Sequence, residues 1–316
     1  MQDIEIVVEN DHIERLTSAS SLVALSELIW NAYDVDAKIV RVEFEAGKLT
    51  KLGHIRVIDD GTGIPFDQAA TFFQSLGGSW KKRTFKTLSG RLIHGKKGQG
   101  RFKAFALGET VTWASKSGGK SFSIFGSKSN LKHFQVTDVT ATDQSGCVVE
   151  IDDVLRDFKI RSEDGFADQI RDVFALQLYE DAQFEIIYDG VEIDAREAIR
   201  SVTPYQIEAT SVGHTGLTGK LEVVEWKKKI DRKLMLCLPG RFSFHSMAPG
   251  IHARGFEFTA YLTSDHFQQL ADENTEGLVE LDMPSMALVE AVKTKLKEHF
   301  REREAERSPT KSQEWK

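Results

Sequence analysis

The sequence predicts an α+β protein, in which a first unit stacks helices on one face of a mixed sheet and a smaller α/β unit follows. Three observations lead there. Leu22, Leu25, Leu28, Ile29 and Ala32 recur at helical spacing within residues 18–33. Two segments then alternate as strands do, "IVRVEFE" and "HIRVID". Beyond a glycine-rich stretch come four more strand-like segments, "ETVTWAS", "KSFSIFG", "KHFQVTDV" and "CVVEIDD". Elements with one apolar face must bury it against another layer, and helices on one side of a sheet do so.

In chain order, "DIEIVVEN" near the amino end alternates like an exposed strand. Thr17 and Ser18 are suited to cap the first helix. Pro65 can open a second helix reaching Leu76, since proline fits the first helical turn. The glycines of "HGKKGQGRFKAFALG" precede a third. The polar segment "DDVLRDFKIRSEDG" reads as a crossing between domains. After it come a helix over 166–180, a strand and turn "FEIIYDGVEI", and strands in "GKLEVVEW", "RKLMLCLPG" and "GFEFTAYL". The carboxyl end is helical and then highly charged. The expected domains are 1–155, 160–283 and a charged helix or tail over 284–316.

Composition narrows the function classes. A chain of 316 residues exceeds one typical core, in line with two domains. Hydrophobic residues at 41% and charged residues at 28% are ordinary for a globular protein. No apolar run approaches the length of a membrane span, and the amino end has no signal core. Two distant cysteines, Cys147 and Cys237, and nine scattered histidines disfavour a disulfide framework or a zinc site. A reducing cytoplasm fits. The net charge of −7 argues against a general nucleic-acid coat but leaves room for a local basic face.

Three motifs carry chemistry. In "SELIWNAYDVDA", Glu27, Asn31 and Asp34 share one helix face. They read either as a solvated stripe or as a carboxylate that activates water beside an amide that ligates Mg²⁺. In "VIDDGTGIP", Asp59, Gly61 and Gly63 end a strand. This is a glycine-rich turn, or a carboxylate that accepts an adenine amino group where glycines let the backbone approach the base. In the third motif, Gly95, Gly98 and Gly100 offer backbone N–H groups and a helix start to phosphates. Residues 90–96 also spell G-x-x-x-x-G-K, but Lys97 stands where a P-loop needs Ser or Thr. Between residues 80 and 103 lie Lys81, Lys82, Arg83, Lys86, Arg91, Lys96, Lys97, Arg101 and Lys103 without one acid. That run is a solvated loop, or it meets an anion such as a triphosphate or nucleic acid.

The order Glu-x-x-x-Asn, Asp-x-Gly-x-Gly, Gly-x-x-Gly-x-Gly resembles the GHKL ATPases, which include gyrase, heat-shock chaperone ATPases, histidine kinases and MutL. "ELIWNAYDVDA" is similar to the MutL and chaperone boxes, "GKKGQGRFKAFAL" to the chaperone glycine box, and "SLGGSWKK" to the segment leading into the lid of MORC-type members. The resemblance covers about residues 1–155 and implies a Bergerat-type sandwich binding ATP with Mg²⁺. It implies Glu27 as general base, Asn31 as metal ligand, Asp59 at the adenine amino group and Gly63 against the base. Asp34 and Gly61 join the nucleotide site, and Gly95, Lys96, Lys97, Gly98 and Gly100 wrap the phosphates in a mobile lid. Cys147 stands where the family usually has Thr near the adenine-binding Asp, and Ser145 is a candidate substitute. The second unit would be a transducer, with Lys227, Lys228, Lys229 and Lys233 as candidates for the γ-phosphate.

The function implied is slow ATP hydrolysis that drives lid closure and a nucleotide-dependent homodimer acting on a protein or nucleic-acid client, with no membrane. A non-hydrolysing ATP sensor and a histidine kinase catalytic domain are the alternatives. The kinase is disfavoured because the first motif begins within thirty residues of the amino end.

Overall fold

The computed structural model describes residues 17–47, 52–74, 87–91, 93, 100–138, 145–154, 158–196, 198–211, 213–238, 242–273 and 275–313. The chain forms two compact units, 1–195 and 196–316.

The first unit is an α+β sandwich. Helix α1 (Ser21–Tyr33) leads into β1 (Ile39–Glu45) and β2 (His54–Asp59), then α2 (Phe66–Gln74), α3 (Gly100–Lys103), β3 (Thr110–Ser117), β4 (Lys120–Ser127), β5 (Phe134–Asp138), β6 (Gly146–Asp152), α4 (Phe166–Glu180), β7 (Glu185–Tyr188) and β8 (Val191–Glu192). The eight strands run β5-β4-β3-β6-β2-β1-β7-β8. Every pairing is antiparallel except β1 with β7.

Register explains which face is buried. Val42, Val57, Val149, Trp113 and Ile124 lie side by side across five strands, and all are buried. The next row on that face is Val40, Asp59, Cys147, Ser115 and Phe122. On the other face Arg56 sits between Glu43 at 3.2 Å and Glu150 at 3.4 Å, a charged ladder at the surface. The period of two that made these segments legible thus divides core from solvent.

Ser20 caps α1 by accepting the Val23 N–H, so the cap lies later than the expected Thr17 or Ser18. Trp30 is buried on α1 and packs against Phe174 of α4, with ring centroids 4.6 Å apart.

The expected boundary near 155–160 does not match the observed division after Ala195. Helix α4 and strands β7 and β8 belong to the first unit: β7 pairs with β1 from Ile39↔Glu185 to Val42↔Tyr188, and α4 supplies Phe174 to the core. The described part of "DDVLRDFKIRSEDG" lies within this unit. Arg161 binds Asp189 at 2.7 Å, and the Ile160 carbonyl accepts the Tyr188 hydroxyl.

The second unit holds β9 (Ile199–Ser211), β10 (His214–Trp226), β11 (Lys233–Leu238), β12 (Phe242–Met247) and β13 (Phe258–Thr263), ordered β12-β11-β13-β10-β9, with α5 (Asp265–Asp272) and α6 (Met283–Gln313). Leu288, Val289, Val292, Leu296 and Phe300 of α6 are buried with Leu221, Val223, Leu234 and Leu262 of the sheet. The segment expected as a charged helix or tail over 284–316 is thus described as a helix that, as far as Phe300, contributes to the core. Its inward stripe was masked in the sequence by charges on the remaining faces. Among the described residues, no helix is long and apolar enough to cross a membrane.

Candidate functional site

Strand β2 aims Ile55, Val57 and Asp59 at the helix-covered face, so its alternation carries a carboxylate to the end of an apolar row. Asp59 Oδ1 accepts N–H bonds from Gly61 at 2.9 Å and Cys147 at 3.3 Å. Burial pushes this carboxyl up to about 6, the two N–H bonds offsetting only part of it. The neighbouring Asp60 does a different job. Its Oδ1 accepts the Lys38 and Ile39 N–H groups at 2.7 and 2.9 Å, tying down the start of β1.

The glycines after Asp59 are required sterically. Gly63 has φ +68°, and a Cβ there would stand 2.4 Å from the Lys116 carbonyl oxygen. A Cβ at Gly61 would stand 2.6 Å from Val35 Cγ2. The chain can therefore pass close to its neighbours at Gly61 and Gly63, where no side chain intervenes.

Cys147 faces Asp59 across β2 and β6. Its thiol is buried, and burial followed by the Asp59 charge raises it well above the ordinary range, so it stays protonated. What it gives Asp59 is its backbone N–H, which every residue but proline would also supply. Ser145 is exposed just before β6. The buried hydroxyl of this region belongs to Ser115, the β3 partner of Cys147. Ser115 Oγ accepts the Ile64 N–H at 2.7 Å and lies 3.4 Å from the Gly146 carbonyl. Ser115 sits mid-strand with no motif around it, and only the sheet register reveals it.

On α1, Glu27 and Asp34 are 6% and 2% exposed, and Asn31 is half-buried. A solvated stripe is thus ruled out for the two acids. Asp34 closes the helix, its N–H bonded to the Trp30 carbonyl at 2.9 Å. Glu27 Oε2 lies 2.9 Å from Lys103 Nζ. Gly100 abuts the same carboxylate, and a Cβ at that position would stand 2.3 Å from Glu27 Oε1. The first and third motifs therefore meet. Sequence reasoning counted Lys103 among the basic residues but had no signal that it pairs with Glu27, 76 positions away.

Gly95, Lys96, Lys97 and Gly98 lie outside the described residues, as do Trp80 and Phe85 and the "DIEIVVEN" segment. Gly100 opens α3, which has only four residues before a 3₁₀ turn, Ala104–Ala106.

The basic run is partly internal. Arg91 donates to Asp181 at 2.8 Å and to the Ala37 carbonyl at 2.6 Å, and its guanidinium lies 4.4 Å from the Tyr33 ring centroid. Arg101 donates to the Phe73 carbonyl at 3.2 Å, and burial lowers its guanidinium to about 10. Arg91, Arg101 and Lys103 thus have partners within the protein. In the second unit, Lys227, Lys228 and Lys229 are exposed after β10, and Lys233 begins β11.

Among the described residues, no group of three or more His, Cys, Asp or Glu side chains converges on one point. A protein-built metal cage is not present there. Mg²⁺ held by one amide, phosphate oxygens and waters needs no such cage, and Asn31, one turn from Glu27, fits that donor set.

A family model described as histidine kinase-, DNA gyrase B- and HSP90-like ATPase matches residues 19–154. A comparison of the chain with curated proteins finds no match.

Proposed function

Residues 19–154 are a domain of the histidine kinase-, DNA gyrase B- and HSP90-like ATPase family, the GHKL group, and from that premise we propose that the chain is a Mg²⁺-dependent ATPase whose hydrolysis governs a conformational clamp. One observation carries this reading beyond ATP binding in general. Glu27 is a buried carboxylate, one helical turn from Asn31, meeting the glycine box at Gly100. Burial strengthens electrostatic action and excludes bulk water, as a general base requires.

In this reading Asp59 accepts the adenine amino group, the turn through Gly61 and Gly63 lies against the base, and the protonated Cys147 lines its edge. Asn31 would hold Mg²⁺ against the phosphates, where the ion would neutralise charge. Asp34 closes the helix that presents Glu27 and Asn31. Gly95, Lys96, Lys97, Gly98 and Gly100 would surround the phosphates. Glu27 takes the proton of the attacking water. Catalysis is mostly positioning and electrostatics, as for phosphoryl transfer in general. The second unit would transmit the nucleotide state to a protein or nucleic-acid client through an ATP-dependent homodimer.

Steady-state phosphate release tests the proposal. The protein should release phosphate from ATP slowly, and Glu27→Ala should lower that rate by about a hundredfold to ten-thousandfold with ATP binding retained. Hydrolysis by Glu27→Ala within a few-fold of the parent would remove Glu27 from the mechanism.

A further inference from the structure

Glu27 is held on two sides. Its Oε2 is tethered to the Lys103 ammonium at 2.9 Å, and Lys103 itself keeps about a quarter of its side chain exposed. Its Oε1 faces Gly100, where the absence of a side chain leaves room that a Cβ would close to 2.3 Å. A buried charge is costly unless it is paired, and Lys103 supplies the pairing cation for this carboxylate. The tether also fixes which oxygen is engaged and which is left on the side of the glycine-rich segment.

We propose that Lys103 is a positioning residue for the hydrolytic step. It binds Oε2 and holds the side chain in one position, so that Oε1 is the atom that takes the proton. This rests on the reading of Glu27 as general base. In the step, the water oxygen bonds to the γ-phosphorus while the bond from that phosphorus to the β–γ bridging oxygen breaks. ADP leaves with the electron pair, and the water proton passes to Glu27 Oε1 and then to solvent. Gly100 belongs to the same device: its lack of a side chain leaves room for the carboxylate, and Lys103, three residues on, clamps it there.

The test measures kcat and KM for ATP in Lys103→Met, Lys103→Arg, Glu27→Gln and the double variant Glu27→Gln/Lys103→Met, with affinity for a non-hydrolysable ATP analogue as the check on folding. Lys103→Met should lose about tenfold to a hundredfold in kcat, the range expected when a reacting group is misplaced by about 1 Å. Its KM and analogue affinity should stay within about threefold of the parent, a difference of less than ~0.7 kcal/mol. Lys103→Arg should recover most of the rate. The double variant should be no slower than Glu27→Gln alone, because Lys103 acts through Glu27. A Lys103→Met enzyme as fast as the parent or faster would overturn the proposal, as would a raised KM with kcat intact, which would make Lys103 a nucleotide ligand. If Glu27→Gln is slow and Lys103→Met is not, the role of Lys103 alone fails. If Glu27→Gln keeps the parental rate, the base assignment falls with it.

Discussion

Replacing Asp59 with Asn should make the protein more stable and worse at holding ATP. The carboxyl titrates at about 6 in the fold against 3.8 as a free side chain, and burial is the leading cause. A tenfold change in proton affinity is worth about 1.4 kcal/mol, so keeping Asp59 ionised costs the folded state about 3 kcal/mol at neutral pH. The sign follows from the direction. The folded value lies above the unfolded one, so the cost is absent below pH 3.8, grows through the interval and is complete above about 6. Asn carries no charge and keeps an oxygen for the Gly61 and Cys147 N–H groups. Denaturation at pH 8 should therefore favour Asp59→Asn by up to about 3 kcal/mol, with little difference at pH 4. Binding should move the other way. The adenine amino group would meet an uncharged acceptor or an opposed N–H, which weakens ATP by about 1–3 kcal/mol and relaxes discrimination against GTP. Chemical denaturation at the two pH values and calorimetric titration with ATP read both effects. An equal stability change at pH 4 and pH 8 would refute the desolvation argument, and parental ATP affinity would show that the base is read elsewhere.

Asn31→Ala should bind ATP without the enhancement that Mg²⁺ gives the parent, and an unchanged Mg²⁺ effect in calorimetry would exclude Asn31 as the ligand. Arg91→Met should lower the denaturation midpoint by several degrees. It removes the cation paired with Asp181 and the donor to the Ala37 carbonyl, a loss of about 2–4 kcal/mol, and a midpoint within one degree of the parent would contradict this. A non-hydrolysable ATP analogue should drive dimerisation where ADP does not, because a γ-phosphate can neutralise part of the charge on the basic run. Light scattering that shows a monomer with saturating analogue at tens of micromolar would remove the clamp.

The elements that sequence located best were those whose pattern is local. The alternation in "HIRVID" gave β2 and, with it, the inward aim of Asp59. The helical spacing of Leu25, Leu28, Ile29 and Ala32 gave α1, and so placed Glu27 and Asn31 one turn apart. What stayed hidden depends on pairings between distant segments. The tie between Glu27 and Lys103, the hydroxyl of Ser115 beside Gly146, and the anchoring of Arg91 on Asp181 have no spacing that announces them. Arg91 is instructive, because a run of like charges suggested one external anion and the fold instead gives this member an internal acid. The domain boundary failed for a related reason. A polar segment resembles a linker whether it joins two domains or only rounds a corner on the way to a parallel strand.

That parallel strand makes the first sheet finish late in synthesis. Five of the antiparallel pairings of the first sheet close within residues 39–152, and they are complete once β6 has been synthesised. The outer edge of β1 must wait for residues 185–188, and Trp30 must wait for Phe174. During translation the nascent chain therefore carries a nearly finished sheet with an open strand edge while the next forty or so residues emerge, a few seconds at ordinary elongation rates of about 5–20 residues per second. An open edge of that kind is what a neighbouring nascent chain on the same message can pair with. Charge on the exposed residues of β1, Arg41 and Glu45, opposes such pairing in the interval. The late arrival of β7 then turns a temporary hazard into the inner seam of the finished domain.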